Sequence, residues 1–430
     1  MIWGSPLEHF LDPVLRAPTI GSMLMCAASA LIGVVAFLRK RCLLAETLSH
    51  ASYPGIVLGI LFLATFFSFG EGVASVIALS GAFLSALGGL WLVELMEKRL
   101  GVKSDAALCF ALALFFGIGI LFASHLQVAH PIWFNQIHIF LYGQVATMTD
   151  RHILIYSLLF VGTLLFLLIL YQPLKLINFD RQLARSVGAR VSLVDAFLFI
   201  LLVLAIIIGL RSVGVVLMSG MLVAPAVAAR QFTHRLSTLF ILAGTFGLIS
   251  GFCGSYLSVE LPKFWEEKIS FPTGPMILLS ASAICLIALL FAPTRGLLSR
   301  LIRIARFKDR CRQENILKAL WRAQESSHPQ PHFSLLLFYR LLFKGLVKKN
   351  QGRVELTDKG AMRAQQIIRL HRLWEVYLVS LGQGVEKVHH SAEEMEHIIT
   401  PEMESELTEF LEDPTHDPHQ QPIPAPARPL

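Results

Sequence analysis

Between Thr19 and Ala292, apolar runs close to the length of a membrane span follow one another with only short polar breaks. About 20 apolar residues cross the hydrocarbon layer as one helix. Lipid offers the backbone no hydrogen-bond partner, so each crossing must satisfy its own N–H and C=O groups. The pattern predicts a mainly α fold, a polytopic α-helical membrane domain of about nine transmembrane helices. They are expected near 19–38, 43–68, 72–96, 106–124, 153–171, 191–210, 213–231, 238–259 and 274–292. Only 16% of the 430 residues are charged, too few for a soluble protein of that length. The first run has no basic segment ahead of it and no small-residue cleavage site behind it, so it reads as a retained helix, not a signal peptide. The six cysteines are scattered with no CxxC pair, which argues against a disulfide framework or a cysteine zinc site.

Lys and Arg are shared unevenly between the loops. One side takes Arg39, Lys40, Arg41, Lys98, Arg99, Lys103, Lys175, Arg181, Arg185, Arg190, Arg230, Arg235, Arg295, Arg300 and Arg303; the other takes Arg16, Arg151, Arg211, Lys263 and Lys268. Cytoplasmic loops hold the basic excess, so the expected topology is a multi-pass protein of the inner (plasma) membrane. Its N-terminus lies outside and its C-terminal domain is cytoplasmic. Gly81, Ala82, Ser85, Gly88 and Gly89 in the third run, and Gly214, Ser219 and Gly220 in the seventh, let helix backbones approach closely. Pro54 and Pro225 are expected to kink or break their helices. Glu46 and His50 stand four residues apart, on one helix face. At membrane depth such a pair marks an ion pathway, and its O and N donors suit Mn(II), Fe(II) or Zn(II); in a cytoplasmic loop it is simply solvated. His125, His130, His138 and His152 fall in an expected outer loop over 125–152, where they either receive metal or only meet water. No GxxxxGK[ST] phosphate loop is present, so nucleotide hydrolysis is not expected of this chain.

Past residue 312 the chain changes character and becomes rich in charge and His. Residues 295–312 form a basic linker suited to anionic headgroups of the lipid bilayer, or alternatively to a nucleic acid. Within 313–363 the order is helix, His/Pro-rich break, helix and hairpin, which is the order of a winged helix with Gly352 at the wing turn. Arg340 and Lys344 on the second of these helices would enter a DNA major groove. That helix also carries Leu335, Leu336, Leu337, Phe338, Leu341, Leu342 and Phe343, which favour packing in a core or on a partner. In 364–430, His371 and Glu375 are spaced i, i+4; Glu393, Glu396 and His397 follow at i, i+3, i+4, with His389 before them. Two facing helices with these donors would build an O/N site for Mn(II) or Fe(II). The alternative is a charged face of two amphipathic helices.

Five runs together resemble one family: FLRKRCLLAETLSHASYPGIVLG (37–59), FLYGQVATMTD (140–150), INFDRQLARSVGA (177–189), VGVVLMSGMLVAPAVAAR (213–230) and GSYLS with FPTGPMILL (254–279). They look like the membrane subunit of the zinc/manganese/iron ABC importers, the ABC-3 permease family, over roughly residues 15–292 of a transmembrane domain expected over 1–294. The resemblance implies a second permease subunit (the same or related), a cytoplasmic ABC ATPase and an extracytoplasmic metal-binding protein as partners. It makes Asp180, Ala184 and Gly188 the positions that couple to the ATPase, and puts Glu46 and His50 on the route of the transported divalent metal. Family members usually carry Asp at the position of Glu46.

The tail resembles iron/manganese-dependent repressors of the DtxR/MntR type in the runs VELTDKG, RLHRLWEVYLVSLG, VEKVHHSAEEMEHIIT and DPHQQPIP. That likeness makes Glu393, Glu396 and His397 the primary metal site, and His371, Glu375 and His389 its neighbour, with Mn(II) or Fe(II) as cofactor. Glu rather than Cys or Met at 393 leans toward Mn(II). The family's N-terminal ligand falls near Asn315, a poor ligand, and the helix-turn-helix is shortened. The whole chain thus resembles the permease–regulator fusions of chlamydial metal-uptake systems. The expected function is ATP-driven import of manganese or iron, with zinc open, joined to a metal-dependent repressor-like domain acting on operator DNA. The alternative is a tail that senses metal and inhibits transport without touching DNA. A secondary transporter is disfavoured by the FDRQLARSVG loop, and no nucleophile–base set supports an enzyme.

Overall fold

The computed structural model describes residues 5–66, 71–264, 271–326, 334–350 and 353–426. The chain divides into two compact units, Met1–Ser299 and Arg300–Leu430.

The first unit is helical: α1 (Glu8–Leu11), α2 (Pro13–Leu38), α3 (Cys42–Phe66), α4 (Glu71–Lys98), α5 (Ser104–Ala129), α6 (Pro131–Tyr142), α7 (Asp150–Ile169), α8 (Tyr171–Phe179), α9 (Arg181–Ser186), α10 (Val191–Val213), α11 (Val215–Phe232), α12 (Leu236–Phe264) and α13 (Thr273–Phe291). Among the described residues, eight helices are long and apolar enough to cross a membrane: α2, α3, α4, α5, α7, α10, α12 and α13. The run expected as the seventh span, 213–231, is the 18-residue helix α11 and is not one of those eight.

Helix α2 begins six residues before the expected start. Asp12 accepts a hydrogen bond from the Val14 N–H at 2.8 Å, and Pro13 occupies the first turn, where its missing N–H costs nothing. This helix is the axis of the unit, buried from Ala17 to Ala36 along most of its length, and it packs against α12, α11 and α7. Small residues make that possible. A Cβ on Gly33 would lie 1.8 Å from the Leu222 carbonyl oxygen of α11, so only glycine fits. Helices α3 and α4 meet the same way, a Cβ on Gly55 falling 2.0 Å from the Gly81 oxygen. By contrast α4, α5 and α7 expose Leu84, Trp91, Leu121, Leu158 and Leu168, an apolar outer surface suited to lipid.

Two expectations need correction. Pro54 and Pro225 lie inside uninterrupted helices and break neither. The expected outer loop 125–152 is largely helical: Pro131 starts α6, whose apolar PIWFNQIHIFLY sequence packs on α5, α10 and α3. His125 belongs to α5 and His138 to α6, while His152 accepts from the Thr149 N–H at the start of α7. Helices α10 and α11 are separated by Gly214 alone, at φ +89°, a backbone conformation that glycine adopts without penalty.

The second unit holds most of α14 (Leu297–Ser326), then α15 (Leu335–Phe343), β1 (Val347–Asn350), β2 (Arg353–Leu356), α16 (Asp358–Ser380), α17 (Val385–Met395) and α18 (Pro401–Phe410). The basic segment 295–312 lies mostly in α14. Strands β1 and β2 pair antiparallel, Val347 opposite Leu356 and Asn350 opposite Arg353; the wing turn at Gly352 lies outside the described residues. Leu317 and Leu320 of α14, Leu341 of α15, Val347, Leu356 and Ala364 form a small core under the hairpin.

Candidate metal centre

Helix α16 is started by Thr357, whose hydroxyl accepts from the Gly360 N–H at 3.1 Å. Its inner face runs Gly360, Ala364, Ile367, Ile368, His371, Glu375 and Leu378, so the two polar groups sit in an apolar stripe one turn apart. Helix α17 buries Val388 and Ala392 and brings His389 alongside. The three side chains converge. His371 Nε2 is 3.2 Å from Glu375 Oε1 and 3.0 Å from His389 Nδ1, and His389 Nδ1 is 2.8 Å from Glu375 Oε1. All three ligand atoms lie within 4.8 Å of one another. His371 and Glu375 are each 2% exposed, while the His389 side chain is 49% exposed, so the centre opens to solvent on one side.

The other imidazole nitrogen, His371 Nδ1, lies 2.5 Å from Glu396 Oε2. With the proton on Nδ1, donated to that carboxylate, the Nε2 lone pair turns toward Glu375 and His389. A carboxylate behind a histidine fixes ring and tautomer in this way for a metal. Burial alone would lift Glu375, but hydrogen bonds from His371 and His389 outweigh it and hold its carboxyl at about 2. Burial works against a charged His371, yet its bonds to Glu375 and Glu396 raise its pKa above the ordinary value. Two imidazoles and an ionised carboxylate, crowded and open to solvent beside His389, fit a divalent transition metal.

The second expected set is brought together differently. Lys318 of α14 enters it: its Nζ is 2.7 Å from Glu396 Oε1, 3.0 Å from Glu396 Oε2 and 3.8 Å from Glu393 Oε1. His397 pairs with α14 as well, Nδ1 at 2.7 Å from Glu314 Oε2 and Nε2 at 3.0 Å from Asn315 Oδ1. Glu314 is held at about 2: burial opposes its charge, and hydrogen bonds from His397, Arg363 and Arg310 overcome that. As they stand, Glu393, Glu396 and His397 do not fit a metal, because an ammonium lies among them. Lys318 escaped the sequence reading, although it falls in the stripe Glu314, Leu317, Lys318, Trp321. A lysine inside a buried stripe demands an internal anion.

Arg340 of α15 donates to Asp309 Oδ1 at 2.7 Å, and Lys344, just past the helix, to Gln313 Oε1 at 2.6 Å. In the first unit, Glu46 and His50 lie half-buried on α3; the His50 ring meets Phe116 edge-on at 4.7 Å, and its Nδ1 is buried with no hydrogen-bond partner. Asp180 caps α9, accepting from the Gln182 N–H at 2.8 Å and the Leu183 N–H at 3.0 Å. Ala184, within α9, is fully buried, and Gly188 ends the turn at φ +87°. Gly188 also borders a cleft of about 890 Å³ lined by Leu38, Pro173, Phe179, Arg230 and Leu239.

A bundle of membrane-length helices followed by a separate helical domain with a His/Glu metal centre defines a multi-pass membrane permease carrying a metal-binding regulatory domain. The chain belongs to the ABC 3 transport family, matched over residues 12–292, and residues 357–425 match the iron dependent repressor, metal binding and dimerisation domain. It is 36% identical over 439 residues to a protein of Chlamydia trachomatis serovar D described as a probable metal transport system membrane protein, covering 96% of this chain and 97% of that one. It is 30% identical to the manganese transport system membrane protein MntC of Bacillus subtilis, over 84% of this chain and 82% of that one. The fold resembles PsaBC from Streptococcus pneumoniae, solved in complex with a Fab, with a TM-score of 0.57 at 22% identity over 70% of this chain and 98% of that chain. The protein is thus a multi-pass plasma-membrane permease subunit, not itself an enzyme, with a C-terminal domain that binds divalent metal.

Proposed function

We propose that this permease is the membrane subunit of an ATP-driven importer of manganese or iron, and that its C-terminal unit gauges the same class of ion inside the cell. The observation that carries the sensing half is the convergence of His371, Glu375 and His389 within 4.8 Å. Membership of the ABC 3 family supports the transport half. On this reading Glu46 and His50 lie on the cargo's route, the unpartnered His50 Nδ1 being a donor without a task of its own. The turn from Asp180 through Ala184 to Gly188 docks on a cytoplasmic ATPase, offering exposed Phe179, Leu183 and Val187 as the apolar contact. A second permease subunit and an extracytoplasmic metal-binding protein complete the importer. The basic excess of one set of loops puts the N-terminus outside and the C-terminal unit in the cytoplasm. Radiolabelled Mn(II), Fe(II) and Zn(II) uptake in cells with and without the gene tests this. Equal accumulation of all three removes the transport reading.

In the C-terminal unit, 313–363 acts as a degenerate winged helix that presents Arg340 and Lys344 to operator DNA, while 364–430 binds metal and dimerises. A specific observation favours the alternative, in which the tail inhibits transport without binding DNA: both basic side chains already donate within the domain, to Asp309 and Gln313. A gel shift on the system's own promoter with residues 296–430 and Mn(II) separates them; retardation that weakens steeply with salt supports the repressor.

A further inference from the structure

We infer that Lys318 is a covalently tethered substitute for the cation of the Glu393, Glu396 and His397 cluster, so that this cluster is closed without metal and the domain takes its ion only at His371, Glu375 and His389. The inference rests on the reading of those three residues as the metal centre.

The geometry is that of a built cation site whose cation belongs to the chain. The Lys318 Nζ touches both oxygens of Glu396 and reaches toward Glu393. Lys318 is 5% exposed and Glu396 is 2% exposed. A buried ammonium persists only against an ionised partner, and Glu396 is that partner. The remaining donors are also spent, His397 on Glu314 and Asn315 through its two ring nitrogens.

Charge counting agrees. The carboxylates that gather here are Glu314, Glu393 and Glu396; Glu314 Oε1 accepts from Arg310 at 3.0 Å and from Arg363 at 2.5 Å, and Lys318 serves the other two. Three anions meet three fixed cations, so a divalent ion added beside Lys318 would leave an uncompensated double charge at low dielectric. An ion at His371, Glu375 and His389 is separated from Lys318 by the Glu396 carboxylate, which lies directly behind His371 and offsets the ammonium's charge there.

Lys318 therefore has two effects. It fastens α14 to the Glu396 end of α17 whether or not metal is present. It also leaves Glu396 as a support behind His371 and not a ligand itself, so α14 and the metal centre are linked through one carboxylate.

The test is equilibrium Mn(II) content of the purified full-length chain in detergent, compared across variants. Lys318→Gln should gain one further ion per chain, because the carboxylates of Glu393 and Glu396 lose the ammonium that occupies them. Lys318→Arg, which keeps the cation, should hold the parent content, and so should Glu393→Gln. Glu393 is exposed, so that variant remains informative even if Lys318→Gln fails to fold. Loss of an ion from Glu393→Gln, or no gain in folded Lys318→Gln, overturns the inference. His389→Ala is read separately: it should lose one ion, and if it loses none, the metal centre itself is wrong, whatever Lys318 does.

Discussion

Protons and metal compete for the same atoms at His371. Its pKa is raised because Glu375 and Glu396 outweigh the cost of burial, so without metal its charged form stabilises the fold below the ordinary histidine value, and that contribution fades as pH climbs through the raised one. Metal needs the neutral ring. Mn(II) affinity should therefore rise over the interval in which the metal-free domain loses this support, with a proton released on binding; calorimetry in buffers of different ionisation enthalpy measures that proton. Glu314 behaves oppositely. Its pKa is depressed to about 2, so its contribution is complete above the ordinary carboxylate value near 4.5 and disappears as pH falls toward about 2. Hydrogen-exchange protection of α14 amides should drop across that acid window, and unchanged protection would remove Glu314 from the account. Glu396→Gln removes the charge behind His371, and Mn(II) affinity should weaken by roughly 10–100-fold, read by competition with a metal indicator.

At the level of helices, the seams between small residues set what the bundle tolerates. Gly81→Leu forces a side chain into the Gly55 backbone of α3. Overpacking of this kind costs about 1–3 kcal/mol, and a lower detergent melting temperature with reduced uptake is expected. Leu183→Asp, on the exposed side of α9, should leave melting unchanged and abolish uptake; normal uptake would show that α9 docks nothing. The sequence made these elements readable to different degrees. Long apolar runs announced the spans, because these follow from local chemistry. His371 and Glu375 were legible from one turn of helix. Helix α6 was not, since twelve residues are too short for a span and its one histidine, His138, falls among others that resemble those of a loop. Neither was Lys318, whose partners Glu393 and Glu396 lie more than seventy residues away. Likewise no local pattern joins His9 to Glu260, which meet at 3.4 Å, both buried, from opposite ends of the first unit's sequence.

Across the whole chain, the first unit is compact without the second. Truncation after residue 300 should therefore keep Mn(II) uptake and abolish its response to cytoplasmic metal, as followed by uptake at low and high manganese loading. Uptake that stays metal-responsive after truncation would place the gauge elsewhere. The expected linker over 295–312 is also where proteolysis would free the C-terminal unit from the membrane domain. Residues 297–326 are one helix, so the stretch where a cut would free the regulator is coiled backbone. Proteases thread extended strands through their clefts, and helical bonds resist that shape. Liberation of a soluble fragment must then await local unwinding, and only a nick before Asp309 leaves the freed piece holding its Arg340 latch and its Lys318 clasp together.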